Sequence, residues 1–372
     1  MLRRHRRESG ADTPPWVPGG HETVNVVTPR TGFDAVLLAL GFSGPERRGP
    51  VDLGLVRCLH GERNDETEMD IGRIGIWTSA LDRQRAPVVR RAAREIERLG
   101  YGALWVGEAS RREAFANAAL LLSATDHLGV ATGIANIWAR DPMAMAAGQR
   151  TLAEAWGGRF LLGLGVSHDR LVEPRGHRYE RPLTAMRHYL DAMDQAPYLA
   201  PLPDPVALTR VLGALRPRML ALAVERAGGA HPYLVPVEHT ERARRILGAG
   251  KLLCPEVAVV VTSDRHVARR VARAHLDTYL RLANYRSNLA DLGFTDRDLA
   301  GGGSDRLVDA LVAWGPAARV ARRVGAHLDA CADHVAVQVL TPVPDRLPTE
   351  EWAELAAALA LDPRQATPPA EQ

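Results

Sequence analysis

"RFLLGLGVSH", from Arg159 to His168, decides how the whole chain is read. Its apolar run from Phe160 to Leu164 has the near-continuous hydrophobicity of a strand buried on both faces, as in a parallel sheet. The run stops on Gly163-Leu164-Gly165 and turns polar at Ser167 and His168. Glycines at a strand end let the backbone approach a ligand, and the hydroxyl and imidazole beyond them offer polar contacts. The same ten residues fit a dinucleotide-binding sheet, a barrel, or a strand with an ordinary turn. The surrounding chain has to choose.

Seven more apolar runs flank this one: 73–77, 103–108 and 129–136 before it, and 205–212, 230–236, 255–262 and 333–340 after it. Helical patterns separate them. Between the first two, Val88, Ala92, Ile96 and Leu99 fall on one helical face and Gly100 ends it. Before 159, Pro142 sits where the first turn of a helix accepts proline. After 264 the spacing predicts a long helix to 283, then an irregular insert over 285–303 ending in three glycines. The stretches 304–315 and 316–330 read as two further helices. Eight strands alternating with helices, mostly one strand–helix unit per 25–30 residues, is the count of a (β/α)8 barrel. A doubly wound sheet uses the same unit. It calls for a Gly-x-Gly-x-x-Gly turn after its first strand, which 73–81 lacks, and "GLGVSH" has no third glycine.

The barrel occupies 71–362, and the flanks differ. Residues 1–70 carry scattered Pro, Gly, Arg and Glu and read as a poorly ordered extension. Met69, just before the first strand, leaves open a start at that position. Residues 363–372 form a Pro-rich tail. The net charge of +3 on 372 residues argues against a nucleic-acid binder. Nearly all the positive charge is arginine; Lys251 is the only lysine. No apolar run approaches the ~20 residues of a membrane helix, and no signal peptide is recognisable. Three dispersed cysteines without a Cys-x-x-Cys pair fit reduced thiols of a cytoplasmic protein and no metal site.

A barrel of this kind places its active site at the C-terminal strand ends. The candidates there are Trp77 and Thr78, Glu108, Gly133 to Asn136, Trp138, Gly165 to His168, Gly213 to Arg216, and Tyr233 to Pro236, with His177 further along. Zincin, P-loop and nucleophile-elbow motifs are missing, and no lysine stands at a strand end for a Schiff base. Glycines, small hydroxyls, amides, tryptophans and one imidazole suit a flat cofactor that carries its own chemistry. Each residue also has a structural reading: a bulge at Gly133, close strand packing at Gly163 and Gly165, a turn residue at His168, an arginine-paired Glu108, a core Trp138, a helix-capping His177.

"GYGALWVGE", "TGIANIWARDP", "RFLLGLGVSH", "GAHPYLVP" and "DHVAVQVLTP" together resemble the bacterial luciferase-like superfamily, and within it the branch that uses the deazaflavin coenzyme F420. The resemblance spans about 70–345 and implies a luciferase-like barrel. It implies a non-prolyl cis peptide at Gly133–Ile134 behind the deazaflavin ring, with Ala135 and Asn136 at its edge. It implies that Gly165, Val166, Ser167 and His168 line the cofactor's polar chain, and that Gly213, Ala214, Leu215 and Arg216 form a second phosphate turn. The family often has glycine where Arg216 stands, which puts that turn's role in doubt. Glu108 matches an acidic position near the reactive ring and, with His168, is the catalytic candidate. Ala109 stands where the family's sugar-phosphate dehydrogenases carry a catalytic histidine, so that substrate class is disfavoured. Trp77, Trp138 and His177 are the candidate substrate-pocket residues. The implied activity is hydride transfer between coenzyme F420 and a small organic substrate in a cytoplasmic homodimer. An FMN-dependent monooxygenase and a non-catalytic ligand-binding barrel are the alternatives.

Overall fold

Apolar runs too short for helices become the staves of one parallel sheet. The computed structural model describes residues 69–204, 206–343 and 346–363, and all of these fall in one compact unit. The extension expected over 1–70, but for Met69 and Asp70, lies outside the described residues, as does the tail from 364. Met69 and Ile71 are buried with Leu161 and Leu252 in the barrel interior.

The strands are β1 Ile74–Trp77, β2 Ala103–Val106, β3 Gly129–Thr132, β4 Ala135–Asn136, β5 Phe160–Gly165, β6 Arg210–Leu212, β7 Gly229–Ala230, β8 Leu252–Leu253, β9 Glu256–Val261, β10 Val312–Gly315 and β11 Val335–Val339. They pair in the order β10-β9-β11-β1-β2-β3-β5-β6-β7-β8, with β4 beside β5, and every pair is parallel. β3 and β4 are two pieces of one stave, and so are β8 and β9. The second of these closes the barrel. Leu252 and Leu253 pair with β7, the amide of Ala336 donates to Pro255 O at 3.0 Å, and β9 pairs with β11. That leaves eight staves, as the sequence count gave, with β10 added outside them against β9.

Helices follow the staves: α1 Ala86–Arg98, α2 Ala114–Leu122, α3 Pro142–Ala155, the short α4 Asp169–Val172, α5 Pro182–Asp194, α6 Pro217–Arg226, α7 Val237–Leu247, α8 Arg265–Tyr279, α9 Ala283–Asp291, the short α10 Asp296–Leu299, α11 Asp305–Leu311, α12 Ala317–Asp329 and α13 Thr349–Ala358. α3 shows the local logic. Asp141 caps it by accepting from Ala144 N at 2.9 Å, and Pro142 occupies the first turn, where its missing N–H costs nothing. α1 buries Val89, Ala92, Ala93 and Ile96; Val88, expected on that face, is only half-buried. Two cores result. One lies between the sheet and the outer helices. The second gathers α8, α9 and α11 over Ala258 and Val260 of β9 and Leu234 after β7, with Leu215 and Leu340 from other stave ends packed against it. α8 to α11 therefore sit at the C-terminal mouth of the barrel.

Several boundaries depart from the sequence reading. The run 230–236 contributes only Ala230 to β7, because Pro232 has no N–H to give a ladder and Leu234 has a left-handed φ of 58°. The run 205–212 pairs only from Arg210. The insert expected to be irregular holds α9 and α10; its irregular part is Gly301 to Gly303, all at positive φ. The helix expected over 304–315 ends at Leu311 and becomes β10. Cys254 is a buried, reduced thiol, and Cys331 is disulfide-bonded, which corrects the expectation of reduced thiols at that position. Among the described residues no helix is long and apolar enough to cross a membrane.

Candidate functional site

The third stave is interrupted at the mouth. After Thr132 the chain bulges through Gly133 and Ile134, joined by a cis peptide bond, before pairing again at Ala135. Backbone bonds hold the bulge on one side: Gly133 N donates to Val106 O at 2.8 Å and Glu108 N to Ile134 O at 3.1 Å. Trp77 Nε1 donates to Gly133 O at 3.0 Å. Gly133 and Ile134 stay half-buried while Thr132, Ala135 and Asn136 are buried. The bulge is thus a small platform facing the mouth.

Glycines are what let it sit there. A Cβ on Gly133 would lie 2.6 Å from Trp77 Nε1 and 2.8 Å from His231 Nε2. A Cβ on Gly165 would overlap Ile134 Cγ1, and one on Gly213 would come within 3.2 Å of Ile134 Cγ2. Two residues earlier along β5, a Cβ on Gly163 would strike the carbonyl oxygen of Thr132. Stave ends four and five therefore close onto the platform from two sides.

Glu108 braces the bulge. Its carboxylate accepts from Asn136 N at 2.8 Å and from Ala114 N at 3.3 Å, and both its oxygens bond the Arg140 guanidinium. Arg140 also bridges Glu113. Asn136 is fully buried; its Oδ1 accepts from Trp138 N at 3.0 Å, and its Nδ2 has no partner among the described residues. Below the platform, the buried His231 ring stacks on Trp105 at 4.3 Å. His231 Nδ1 bonds Cys254 O at 2.7 Å, which leaves Nε2 as the bare acceptor, without a partner. Trp105 Nε1 donates to His334 Nε2 at 2.9 Å, and His334 Nδ1 bonds Gly72 O. Burial pushes both imidazoles down to about 4, so they are neutral at neutral pH.

The other expected residues divide. Ser167 turns the chain with φ 58°, and His168 opens α4 without capping it. Burial, helped by Arg170 and opposed by Asp169, lowers the His168 pKa and favours its neutral form. The turn after β6 is pinned where His239 Nε2 donates to Leu215 O at 2.7 Å. Arg216 is exposed and pairs with Asp291 of α9 at 3.3 Å. Ala135, Ala214 and Val166 pack into or against the outer core, so their side chains leave the platform. Trp138 Nε1 donates to Val166 O at 3.0 Å and ties two loops together. His177 is exposed, 5.5 Å from the Trp138 ring, and does not cap α5, whose N-cap Arg181 has no side-chain bond.

Facing the platform are Tyr233, a stave-end candidate of the sequence, and two tyrosines that sequence reasoning did not name. Tyr233 meets Trp77 edge-on at 5.4 Å, and its hydroxyl donates to Gln338 Oε1 at 2.7 Å. Tyr279 of α8 donates to the Tyr233 hydroxyl at 3.0 Å, and Tyr285 of α9 lies 5.2 Å from Tyr279. Only the repeated tyrosines in "TYLRLANYR" hinted at them. Among the described residues no three His, Cys, Asp or Glu side chains cluster as metal ligands would. A separate cavity of about 690 Å3 lies among Gln149, Arg150, Asp194, Arg210 and Lys251, toward the N-terminal stave ends.

Residues 73–334 match the model of the luciferase-like monooxygenase family. A Mycobacterium tuberculosis protein, provisionally named as a coenzyme F420-dependent oxidoreductase, is 26% identical over 258 residues, 58% of this chain and 73% of its own length. Among solved structures, an F420-dependent secondary alcohol dehydrogenase with an F420–acetone adduct superposes at TM-score 0.63 with 14% identity, over 78% of this chain and 99% of its own. The FMN-bound oxygenating constituent of the Pseudomonas putida 3,6-diketocamphane monooxygenase reaches TM-score 0.59 with 15% identity, over 81% and 100%. At such identities the superpositions speak for the shared fold.

Proposed function

We propose, from the premise that the chain belongs to the luciferase-like monooxygenase family, that it is a coenzyme F420-dependent oxidoreductase acting on a small organic substrate. The carrying observation is the platform: Ile134 held half-open at the barrel mouth, with Gly165 and Gly213 closing onto it without side chains. An apolar shelf free of competing side chains fits one face of a planar ring. Two buried polar atoms beside it, Asn136 Nδ2 and His231 Nε2, have no partner among the described residues. The name of the M. tuberculosis relative supports the deazaflavin over a flavin.

When bound, the deazaflavin supplies a ring carbon that exchanges a hydride. The chain's own residues orient and shield. Trp77 fixes the platform through Gly133 O. Glu108, charge-matched by Arg140 and holding Asn136 N, acts as a positioning residue; its lone pairs are already engaged. The loop Gly165 to His168 and the turn Gly213 to Arg216 frame the seat for the anionic chain, where backbone amides at stave ends suit oxyanions. The insert α8 to α11 excludes water from the mouth.

Titration of the purified chain with coenzyme F420 and, separately, FMN, followed by cofactor fluorescence, tests this. Tight F420 binding with weak FMN binding is expected. The reverse moves the reading to an oxygen-using FMN enzyme, and binding of neither moves it to a barrel without this cofactor chemistry. Light scattering checks the expected homodimer.

A further inference from the structure

Five rings touch in succession around the mouth. Trp77 meets Tyr233 at 5.4 Å, Tyr233 meets Tyr279 at 5.2 Å, Tyr279 meets Tyr285 at 5.2 Å, and Tyr285 meets His168 at 5.8 Å. Both ends of this arc are attached to the platform. Trp77 hydrogen-bonds Gly133, and His168 follows three residues after Gly165, which lies against Ile134. Arc and platform are thus joined at both ends around the mouth. The arc comes from four different parts of the chain: stave ends one, four and six, and helices α8 and α9 of the insert.

The chemistry of the arc is uniform. It carries rings, three phenols and one amide, Gln338, and no permanently charged side chain. Arg140 is committed to Glu108 and Arg216 to Asp291, while Arg170, exposed in α4, stands outside the arc and reaches His168, Tyr279 and Tyr285 only electrostatically. At its base lies Glu256, fully buried, with Oε2 accepting from Leu234 N at 3.0 Å and Oε1 without a partner. The electrostatic influence of Glu256 reaches Tyr233, Tyr279 and Tyr285. His275, whose ring is 5.2 Å from Tyr279, also has a buried, unpartnered Nε2.

We propose that this arc is the substrate wall of the site and that it selects a neutral, flat ring compound bearing a carbonyl oxygen. The assignment rests on the reading of the platform as the cofactor's seat. Stacked and edge-on rings favour a planar partner. An anionic substrate would lose its hydration here with no counter-charge among the side chains of the arc itself, a large penalty. Burial raises Glu256 to about 8, so at neutral pH its carboxyl keeps its proton. Leu234 N already occupies Oε2, so the O–H on Oε1 is a buried donor in need of an acceptor, which a carbonyl oxygen provides.

A matched pair of probes tests this: 2-methyl-1,4-naphthoquinone, which is neutral, and 1,4-naphthoquinone-2-sulfonate, which is anionic on the same ring. Binding to the purified full chain is followed by quenching of tryptophan fluorescence at pH 7. Saturable binding of the neutral quinone is expected, at least tenfold tighter than that of the sulfonate. Tyr279→Ala should weaken the neutral quinone at least fivefold while coenzyme F420 affinity stays within twofold; Tyr279→Phe, which keeps the ring, should weaken it less. Equal or tighter sulfonate binding, no saturable binding of either probe, or an unchanged quinone affinity in a folded Tyr279→Ala overturns the wall. Failure of F420 to bind while the quinone pattern holds overturns the proposed function and leaves the wall standing.

Discussion

The two halves of the barrel mouth are built by opposite means. On one side the shape comes from missing side chains: Gly133, Gly163, Gly165 and Gly213 bring three stave ends together until backbone meets Ile134 and Trp77. On the other side it comes from side chains that fill and bond: Tyr233, Tyr279, Tyr285 and Gln338, brought in by stave ends and by the insert. A half made of close backbone has no slack, so it suits the part of the site that stays constant. A half made of side chains on an added layer can be changed one residue at a time. The halves also rest on opposite titrating floors, neutral imidazoles under the platform and a neutral carboxyl under the tyrosines.

That contrast yields the largest expected effect. His231 and His334 titrate near 4 when folded and near 6.5 when unfolded. The unfolded chain binds more protons in that window, so their contribution is complete above 6.5 and is lost as pH falls toward 4. Glu256 has the opposite sign. Its folded value, about 8, lies above the ordinary 4.5, so the folded chain holds the extra proton and stability is lost as pH rises from 4.5 to 8. Denaturant melts across pH should give an acid limb and a neutral-to-alkaline limb. Glu256→Gln should flatten the second and steepen the acid limb where the two windows overlap; an unchanged second limb would break the comparison.

Next in size is the brace. Arg140→Ala leaves the Glu108 carboxylate buried beside the platform without its cation, which costs about 3–5 kcal/mol. The double variant Arg140→Met with Glu108→Gln should recover much of that loss, because the uncompensated charge is gone. If Arg140→Ala melts like the wild type, Glu108 is not the paired brace described above.

The glycines come third. Gly163→Ala drives a methyl onto backbone, the Thr132 carbonyl, which has nowhere to go; about 1–3 kcal/mol of stability should be lost. Gly165→Ala meets the Ile134 side chain, mainly its Cγ1 and Cδ1, rather than backbone, so it should melt closer to wild type than Gly163→Ala does. Its effect belongs on the platform instead, as at least a tenfold loss of coenzyme F420 affinity. Equal cofactor affinity in Gly165→Ala and wild type would detach the glycine half from the cofactor.

These effects follow how legible each half was in the sequence. The stave count and the glycine side were readable, because buried parallel strands give continuous apolar runs and the glycines stand inside the runs they terminate. "TGIAN" and "LLGLG" name their own geometry. The tyrosine side was readable only at Tyr233, which closes an apolar run. Tyr279 and Tyr285 sit on helices of an insert expected to be irregular after 285, and Glu256 opens a run in which one acid looks like a strand-end residue. β10 was hidden for a related reason: "LVAWG" continues the apolar content of α11, and only the turn at Gly315, with φ 136°, marks a strand that ends there. Local pattern reports what a residue needs from its own backbone. It does not report which distant element will be laid against it.

The smallest predicted effect tests the seam between the halves. Arg216 stands at the N-cap of α6 on the glycine side, and its guanidinium reaches across to Asp291 of α9 on the tyrosine side. Both partners are substantially exposed, so solvent screens the pair and the bond contributes at most ~1 kcal/mol. Arg216→Ala should shift the melt by less than that, and the shift should shrink further in salt, as an exposed pair requires. The useful reading is the contrast with cofactor binding. If Arg216 serves only as a strap for the insert, coenzyme F420 affinity in Arg216→Ala stays within about threefold of wild type. A loss well beyond the stability change, itself weakened by salt, would show that Arg216 leaves Asp291 for an anionic group of the cofactor. The turn after β6 would then belong to the glycine half in function as well as in position.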